Sequence, residues 1–486
     1  MTSLTAAAAP TEVPAIPPRR KRSAILLVLL GLAAMQAAWI CVVAPFGGVD
    51  EIDHAYRADA VAHGDVLPDY VLGPAGRGEL LGVRGSLVDA ARDRCDELAL
   101  PAPDKCHPVE RLDDGRVLVA SSAARYNPVF YAVIGTAALP FEGTTALYVM
   151  RTTTAATCLL LLTWALVVSA GRRTRWPTIA AVLATTPMVT YSASMAAPNG
   201  VELCAAVLAW AGGISVVSSL KEGGTPQLSA RAALIVGLVV VGGTRTMGPL
   251  WVLAIGAALL ALAPLRAWVE ALRARPRGWA ASIILVGAAS VSGAVWTWAS
   301  GASRPTLEGL DFTGSPYPGI FVQPVVWVLQ SIGVFPTRND FAPWPVYALV
   351  VSVWGAVLVT GLRAGHRRER LVVLALVVGT IAFPVALTLL TYADLGFAWQ
   401  GRYTWPVACG VLFVLAEACR RDPGSPDRVL LSAVLIVGGA AHVLSQWSVA
   451  TEQPAGLGPL AVALSPVGFA LVLAGLRLGR PGQVTA

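Results

Sequence analysis

Charge is scarce in this chain. Charged residues make up 13% of its 486 residues, while hydrophobic ones make up 55%. So little charge cannot cover the surfaces of several soluble domains, and several apolar runs are long enough to cross a hydrocarbon layer of roughly 30 Å. Lysine is almost missing: Lys21, Lys105 and Lys221 stand against 33 arginines (36 − 3). With abundant Ala, Gly and Val, this points to a GC-rich bacterial genome. No Gly-rich lysine loop of the nucleotide-binding kind occurs, which argues against ATP-driven transport by this chain. No Cys/His cluster has zinc spacing, and there is no Gly-x-Ser-x-Gly elbow. The apolar runs hold few ionisable residues of the kind that relay protons, which weighs against a secondary transporter.

What charge there is falls in a pattern. The net charge of +7 comes from short basic clusters between apolar runs: Arg19 to Arg22, Arg172 to Arg175, Arg266 to Arg277, Arg363 to Arg370, Arg420 with Arg421, and Arg477 with Arg480. Such clusters mark cytoplasmic loops and speak against a nucleic-acid partner. The expected fold is an all-α polytopic membrane protein of about twelve transmembrane helices, near 24–44, 146–170, 177–195, 201–219, 231–243, 248–265, 279–299, 345–362, 371–391, 403–419, 428–447 and 459–476. The helix count is least settled around 231–265. Residues 1–23 read as a disordered basic cytoplasmic tail, 24–478 as the transmembrane domain and 479–486 as a second cytoplasmic tail. Two extracytoplasmic loops are long, 45–145 and 300–344. Each is expected to carry a further helix: the first over 125–134, lying along the membrane surface, and the second within 320–335, either interfacial or re-entrant. Five of the seven cysteines lie in or beside apolar runs; Cys95 and Cys106 lie in the first polar loop, where an oxidising compartment would allow a disulfide.

One short stretch concentrates acid-base capacity. Gly47-Gly48-Val49-Asp50-Glu51-Ile52-Asp53-His54-Ala55-Tyr56-Arg57 directly follows the first apolar run. Asp50 has two readings: an N-cap with Asp53 at the third helical position, or a general base or metal ligand. A cap explains one acid and leaves Glu51 and His54 unaccounted for. Asp50 and His54 share a helix face, as do Asp53 and Arg57, the latter pair reading as structural. Late in the chain, Gln400-Gly401-Arg402-Tyr403 places an arginine at the outer mouth of a helix. There it can bind a phosphate, or act with its aromatic neighbours as an interfacial anchor. Pro198-Asn199-Gly200-Val201-Glu202 forms an outer turn in which Glu202 either complements the helix dipole or serves a site. Arg245 and Arg338 are further candidates for an anionic substrate.

These motifs carry a resemblance. The Asp50-Glu51…His54 stretch, Arg125-Tyr126-Asn127-Pro128-Val129-Phe130-Tyr131, Pro198-Asn199-Gly200-Val201-Glu202, Ile332-Gly333-Val334-Phe335 and Gln400-Gly401-Arg402-Tyr403 occur in the order of a bacterial family of predicted membrane proteins, domain of unknown function 2142. The resemblance spans about residues 25 to 475. That family is similar to the GT-C class of integral-membrane glycosyltransferases. The likeness implies a polyprenyl-phosphate sugar donor entering from the membrane lipid and an acid of the first outer loop at the reaction centre. Where GT-C members often carry a second-loop aspartate, this chain has Asn199, with Glu202 nearby.

The expected function is therefore transfer of a sugar from a polyprenyl phosphate to a cell-envelope glycan or lipid acceptor, at the outer face of a bacterial plasma membrane with both termini cytoplasmic. Asp50, Glu51 and His54 form the expected catalytic group. Gln400, Arg402, Tyr403, Arg245, Glu202, Asn199 and Arg338 are the expected substrate contacts. No cofactor is required beyond a candidate divalent ion, Mg²⁺ or Mn²⁺, on Asp50 and Glu51. The alternatives are a transporter or flippase of lipid-linked saccharides and a non-catalytic scaffold of an envelope-synthesis complex.

Overall fold

The computed structural model describes residues 18–97, 103–171, 174–302, 312–337, 339–420, 427–452 and 458–478. Helix α1 (Pro18–Val42) has 25 residues, a rise of about 37 Å, enough to span a bilayer. A tight turn with positive φ at Phe46 and Asp50 then starts α2 (Glu51–Ala62), of which all but the last residue is buried. Next comes a small α/β layer: β1 (Glu79–Arg84), α3 (Gly85–Glu97), α4 (Pro103–Cys106), β2 (Glu110–Arg111) and β3 (Arg116–Ser121). The strands form an antiparallel sheet ordered β1-β3-β2, with Leu81 opposite Val119 and Val83 opposite Val117. Those four side chains are all buried, as strand alternation requires of one face. The Cys95–Cys106 disulfide ties α3 to α4. This sheet is an addition to the all-α expectation. Helix α5 (Pro128–Ala138) begins at Asn127, whose side chain accepts the Val129 N–H at 3.0 Å. It turns Phe130, Tyr131 and Ile134 inward and exposes Val129 and Val133, the pattern of a surface helix.

The membrane part follows as α6 (Gly143–Ala170), α7 (Trp176–Ala184), α8 (Pro187–Ser192), α9 (Pro198–Lys221), α10 (Leu228–Thr244), α11 (Gly248–Leu262), α12 (Leu265–Ala274) and α13 (Pro276–Ser300). Short helices α14 (Tyr317–Ile320) and α15 (Gln323–Ile332) occupy the second long loop. Then come α16 (Trp344–Ala364), α17 (Arg367–Leu395), α18 (Gly401–Ala408), α19 (Gly410–Cys419), α20 (Asp427–Glu452), α21 (Gly458–Ala461) and α22 (Leu464–Leu478). Among the described residues eight helical stretches are long and apolar enough to cross a membrane, or nine if α11 and α12, bent by 104°, count as one span. The chain is a multi-pass membrane protein. The remaining expected spans are there as shorter pieces. Residues 177–195 break where Thr186 precedes Pro187, because the ring of Pro187 disfavours a helical residue before it. Residues 403–419 divide into α18 and α19, with Pro406 inside α18, and α10 has 17 residues.

Helix α9 is the axis of the bundle: it is buried almost throughout and packs against α6, α8, α10, α18 and α19. A helix apolar on every side belongs in such a core. By contrast α13 and α17 leave most of their apolar surface exposed, as lipid-facing helices do. Helices α1 and α22 meet through reciprocal glycines: a Cβ on Gly468 would lie 2.5 Å from the Gly31 carbonyl oxygen, and one on Gly31 would lie 2.4 Å from that of Gly468. Close backbone approach through small residues is how membrane helices gain packing without a hydrophobic driving force. Gly468→Ala should therefore destabilise the protein by about 1–3 kcal/mol, seen as earlier thermal unfolding in detergent. Gly256→Ala, where a Cβ would meet nothing within 4 Å, should not.

Candidate functional site

The site begins in the turn after α1. Asp50 stands at the N-cap position of α2, with Asp53 at the third helical position, but in a left-handed conformation (φ 56°) and with no capping bond from its side chain; the expected side-chain cap is corrected. The neighbouring acid closes the turn instead, Glu51 Oε2 accepting the Gly48 N–H at 3.2 Å. Glu51 is fully buried against Arg151 of α6, with Nε–Oε1 at 2.8 Å and Nη2–Oε2 at 2.6 Å. The Ala196 N–H, just ahead of α9, adds a fourth bond at 3.1 Å. Arg151 also donates to the carbonyls of Ile40, Val43 and Ala44 at 3.2, 2.8 and 2.7 Å, satisfying acceptors that the end of α1 leaves open. Burial alone would push the Glu51 carboxyl up; Arg151 and the two backbone N–H groups outweigh it and hold the carboxyl below its usual range.

Asp50 points the other way. Its Oδ2 lies 3.0 Å from Arg402 Nη2, joining residues 352 positions apart. The Arg402 side chain is 3% exposed and that of Asp50 is 48% exposed, so the cation is fixed in protein while the acid lies half in the open. Arg402 sits in the first turn of α18, pressed against α15: a Cβ on Gly401 would be 1.8 Å from the Trp327 carbonyl oxygen, and the Gly401 N–H donates to Gln330 Oε1 at 2.8 Å. Only glycine permits that approach. Gln400 is buried just before the helix. The guanidinium carbons of Arg402 and Arg245 lie 5.4 and 4.9 Å from the centre of the Tyr403 ring. Arg245 also faces Glu202 across 3.9 Å.

His54 is buried between Tyr126 and Tyr131, its Nδ1 2.8 Å from the Tyr131 hydroxyl. Burial pulls its pKa down to about 4, over the opposing pull of Asp50 and Asp53 and with help from Arg245 and Arg402. The ring is thus neutral at pH 7. The expected Asp53–Arg57 pair is not formed and is corrected. Asp53 takes Lys105 Nζ at 2.8 Å and the Ser122 N–H at 2.7 Å. Arg57 donates to the carbonyls of Asp65, Val66 and Tyr126 at 3.0, 3.0 and 3.1 Å. Both hold α2 against the outer layer.

Beside these groups lies a cavity of about 300 Å³, whose wall includes Tyr126, Glu202, Arg245, Trp296, Trp399 and Tyr403. Glu202 Oε1 and the buried Asn199 Oδ1 have no hydrogen-bond partner among the described residues, and buried acceptors rarely go unmet without a ligand or water. Helices α13 and α17 both line the cavity yet pack little against each other. Their exposed residues there include Val295, Trp298 and Leu390, so the cavity is flanked by lipid-facing surface. The structure brings Asp50, His54, Glu202, Arg245, Arg402 and Tyr403 into one neighbourhood, with Asn199 and Gln400 buried at its edge; Arg338 lies outside the described residues. Among the described residues no three His, Cys, Asp or Glu are grouped to hold a metal. With both Glu51 oxygens engaged, Asp50 and Glu51 do not fit the divalent ion expected there.

Sequence reasoning missed Arg151 and Lys105. A lone arginine within the apolar run 146–170 was the available signal for the first. Two outcomes follow. Arg151→Leu, which strands Glu51, should cost about 3–5 kcal/mol, read as a large drop in melting temperature. Acidification should also weaken the fold: below pH 6.5 the unfolded chain protonates His54 while the folded one does not. Stability from this group, complete above pH 6.5, is lost as pH falls toward about 4. The loss approaches about 3 kcal/mol and should shrink in His54→Asn when melts at pH 7 and pH 4.5 are compared.

Comparison with known proteins gives few matches. None of the curated proteins matches. Among solved structures, ArnT from Cupriavidus metallidurans bound to undecaprenyl phosphate is 14% identical, covering 93% of this chain and 77% of its own, with a TM-score of 0.39. Residues 34–411 match the model of the family described as predicted membrane protein (DUF2142), and the chain belongs to that family.

Proposed function

We propose that this protein is a GT-C-type membrane glycosyltransferase, transferring a sugar from a polyprenyl-phosphate donor to a cell-envelope glycan or lipid acceptor at the outer face of a bacterial plasma membrane. The observation that carries this reading is the Asp50–Arg402 contact beside a cavity flanked by lipid-facing helices. A phosphate leaving group needs fixed cations, and Arg402 and Arg245 supply them around one aromatic ring. A donor phosphate competes with Asp50 for Arg402. With Arg402 drawn to the phosphate, the half-exposed Asp50 carboxylate takes the role of base. The acceptor oxygen then attacks the anomeric carbon, the carbon–oxygen bond to phosphate breaks, and the polyprenyl phosphate departs with that electron pair. The hydroxyl proton passes to Asp50. Neutral His54 positions Tyr131 behind the acid.

Orientation is supported by two features at opposite ends of the bundle. The Cys95–Cys106 disulfide lies in the layer at the site end, where an oxidising compartment would preserve it. Arg266, Arg273, Arg275, Arg277, Arg363, Arg367, Arg368 and Arg370 sit at the other end, the cytoplasmic one by charge bias.

The test uses the full chain in lipid nanodiscs with polyprenyl-phosphate-linked monosaccharides and a membrane extract as acceptor source. Asp50→Asn should lower transfer at least about 100-fold without moving the melting temperature, and Arg402→Ala should do the same to transfer. Chelation with EDTA should leave transfer unchanged. Undiminished transfer by purified Asp50→Asn protein would overturn the assignment.

A further inference from the structure

A second cavity lies at the far end of the helices that frame the first. Helix α9 runs from the candidate site to Lys221 over 24 residues, about 36 Å, and α10 and α13 make the return journey. At that end a pocket of about 160 Å³ is enclosed by the α9–α10 loop (Gly223, Gly224, Thr225), by Arg231 of α10, by one side of α12, and by Arg275 and Trp279 at the start of α13.

Three observations give this pocket a chemistry. First, its cations are uncompensated. Among the described residues neither Arg231 nor Arg275 has a carboxylate within ion-pair distance, and the nearby acids are engaged elsewhere: Glu270, in the pocket wall, pairs with Arg266 at 2.8 Å, and Glu222 pairs with Arg420. Second, the Arg231 guanidinium is held in place. Its central carbon lies 5.8 Å from the centre of the Trp279 ring, and a Cβ on Gly278 would come within 3.1 Å of its Nη1, so glycine there leaves it room. Third, the pocket lies at a membrane surface. Helix α12 turns 104° from α11, buries Trp268 and exposes Leu265 and Leu272 beside Arg266 and Arg273. An amphipathic basic helix of this kind lies in the interface with its leucines in the acyl boundary.

We propose that this pocket binds the phosphate of an anionic phospholipid in the leaflet opposite the candidate site. A phosphodiester presented by a lipid would meet Arg231 and Arg275 from the side of α12, while the leucines of that helix take up its glycerol and upper acyl chain. Basic pockets between transmembrane helices are suited to such headgroups. A free phosphate offers the same charge without the acyl anchor, so affinity for the two should differ. The inference is independent of the chemistry proposed at the other end.

The experiment is native mass spectrometry of the full-length protein in detergent, titrated in parallel with phosphatidylglycerol, phosphatidylcholine and inorganic phosphate. Wild type should retain phosphatidylglycerol in preference to phosphatidylcholine. Arg275→Gln, at a surface-exposed position where folding is not at stake, should weaken retention about fivefold, and the Arg231→Gln/Arg275→Gln double variant about thirtyfold. Equal retention of phosphatidylglycerol by wild type and Arg275→Gln would overturn the proposal. Binding of inorganic phosphate with no preference for phosphatidylglycerol would overturn the lipid assignment and leave a soluble phosphate as the ligand.

Discussion

The buried pair of Glu51 and Arg151 is the constraint on which the candidate site depends. It joins four pieces of chain at once: the carboxylate closes the turn at Gly48 and receives the N–H of Ala196, while the guanidinium gathers three carbonyls from the end of α1. Desolvating two charges is expensive, and only good geometry with the remaining donors and acceptors satisfied makes such a pair tolerable. Those conditions are met here, and they fix where α2 starts. Because Glu51 is pulled inward and the backbone at Asp50 turns left-handed, the preceding side chain must face outward. Two neighbouring acids of nearly the same chemistry thus receive opposite environments, one a buried structural anchor and the other half-exposed.

That division could not be read from the residues. The cluster Asp50-Glu51-Ile52-Asp53-His54 marked the place, and Arg402 marked its distant partner, because an acid or a guanidinium beside an apolar run is costly unless used. Which of the acids would meet Arg402 was hidden, since it depends on Arg151, a residue a hundred positions away whose rotamer no local pattern reports. The same holds for Asp53: spacing on one helix face suggested Arg57, but Lys105 and the Ser122 N–H lie across from it once the sheet folds over α2. Helical spacing ranks local partners and is silent about layers that arrive from elsewhere in the chain.

The fold divides along a similar line. Long apolar runs without proline became single helices. Two runs holding an internal proline, at Pro187 and Pro406, became pairs of short helices, whereas α17 continues through Pro384 as one helix, and the two breaks lie where the bundle meets the second long loop. The Thr186 hydroxyl at the first break donates to the Ser331 carbonyl of α15 at 2.8 Å, and α18 packs on α15 through Gly401. Broken helices inside a membrane protein are tolerated where neighbouring protein satisfies the freed backbone, and here the neighbour is the loop that seats Arg402. The three-stranded sheet went unseen because its strands are short and lie within a loop whose polarity hides the alternation of Leu81 and Val83.

The electrostatic arrangement around Tyr403 is what motivates the phosphate in the proposed function. Two guanidiniums approach the same ring, and each faces a carboxylate that leaves it incompletely satisfied. Arg402 keeps its Nε buried without a hydrogen-bond partner among the described residues, and Arg245 stands 3.9 Å from Glu202, beyond good hydrogen-bond distance. Two like charges set around one ring repel each other. Under the proposed function, a phosphate held by both would relieve that repulsion and draw Arg402 away from Asp50. A neutral or cationic ligand would do neither, which is why the proposed function takes an anionic donor.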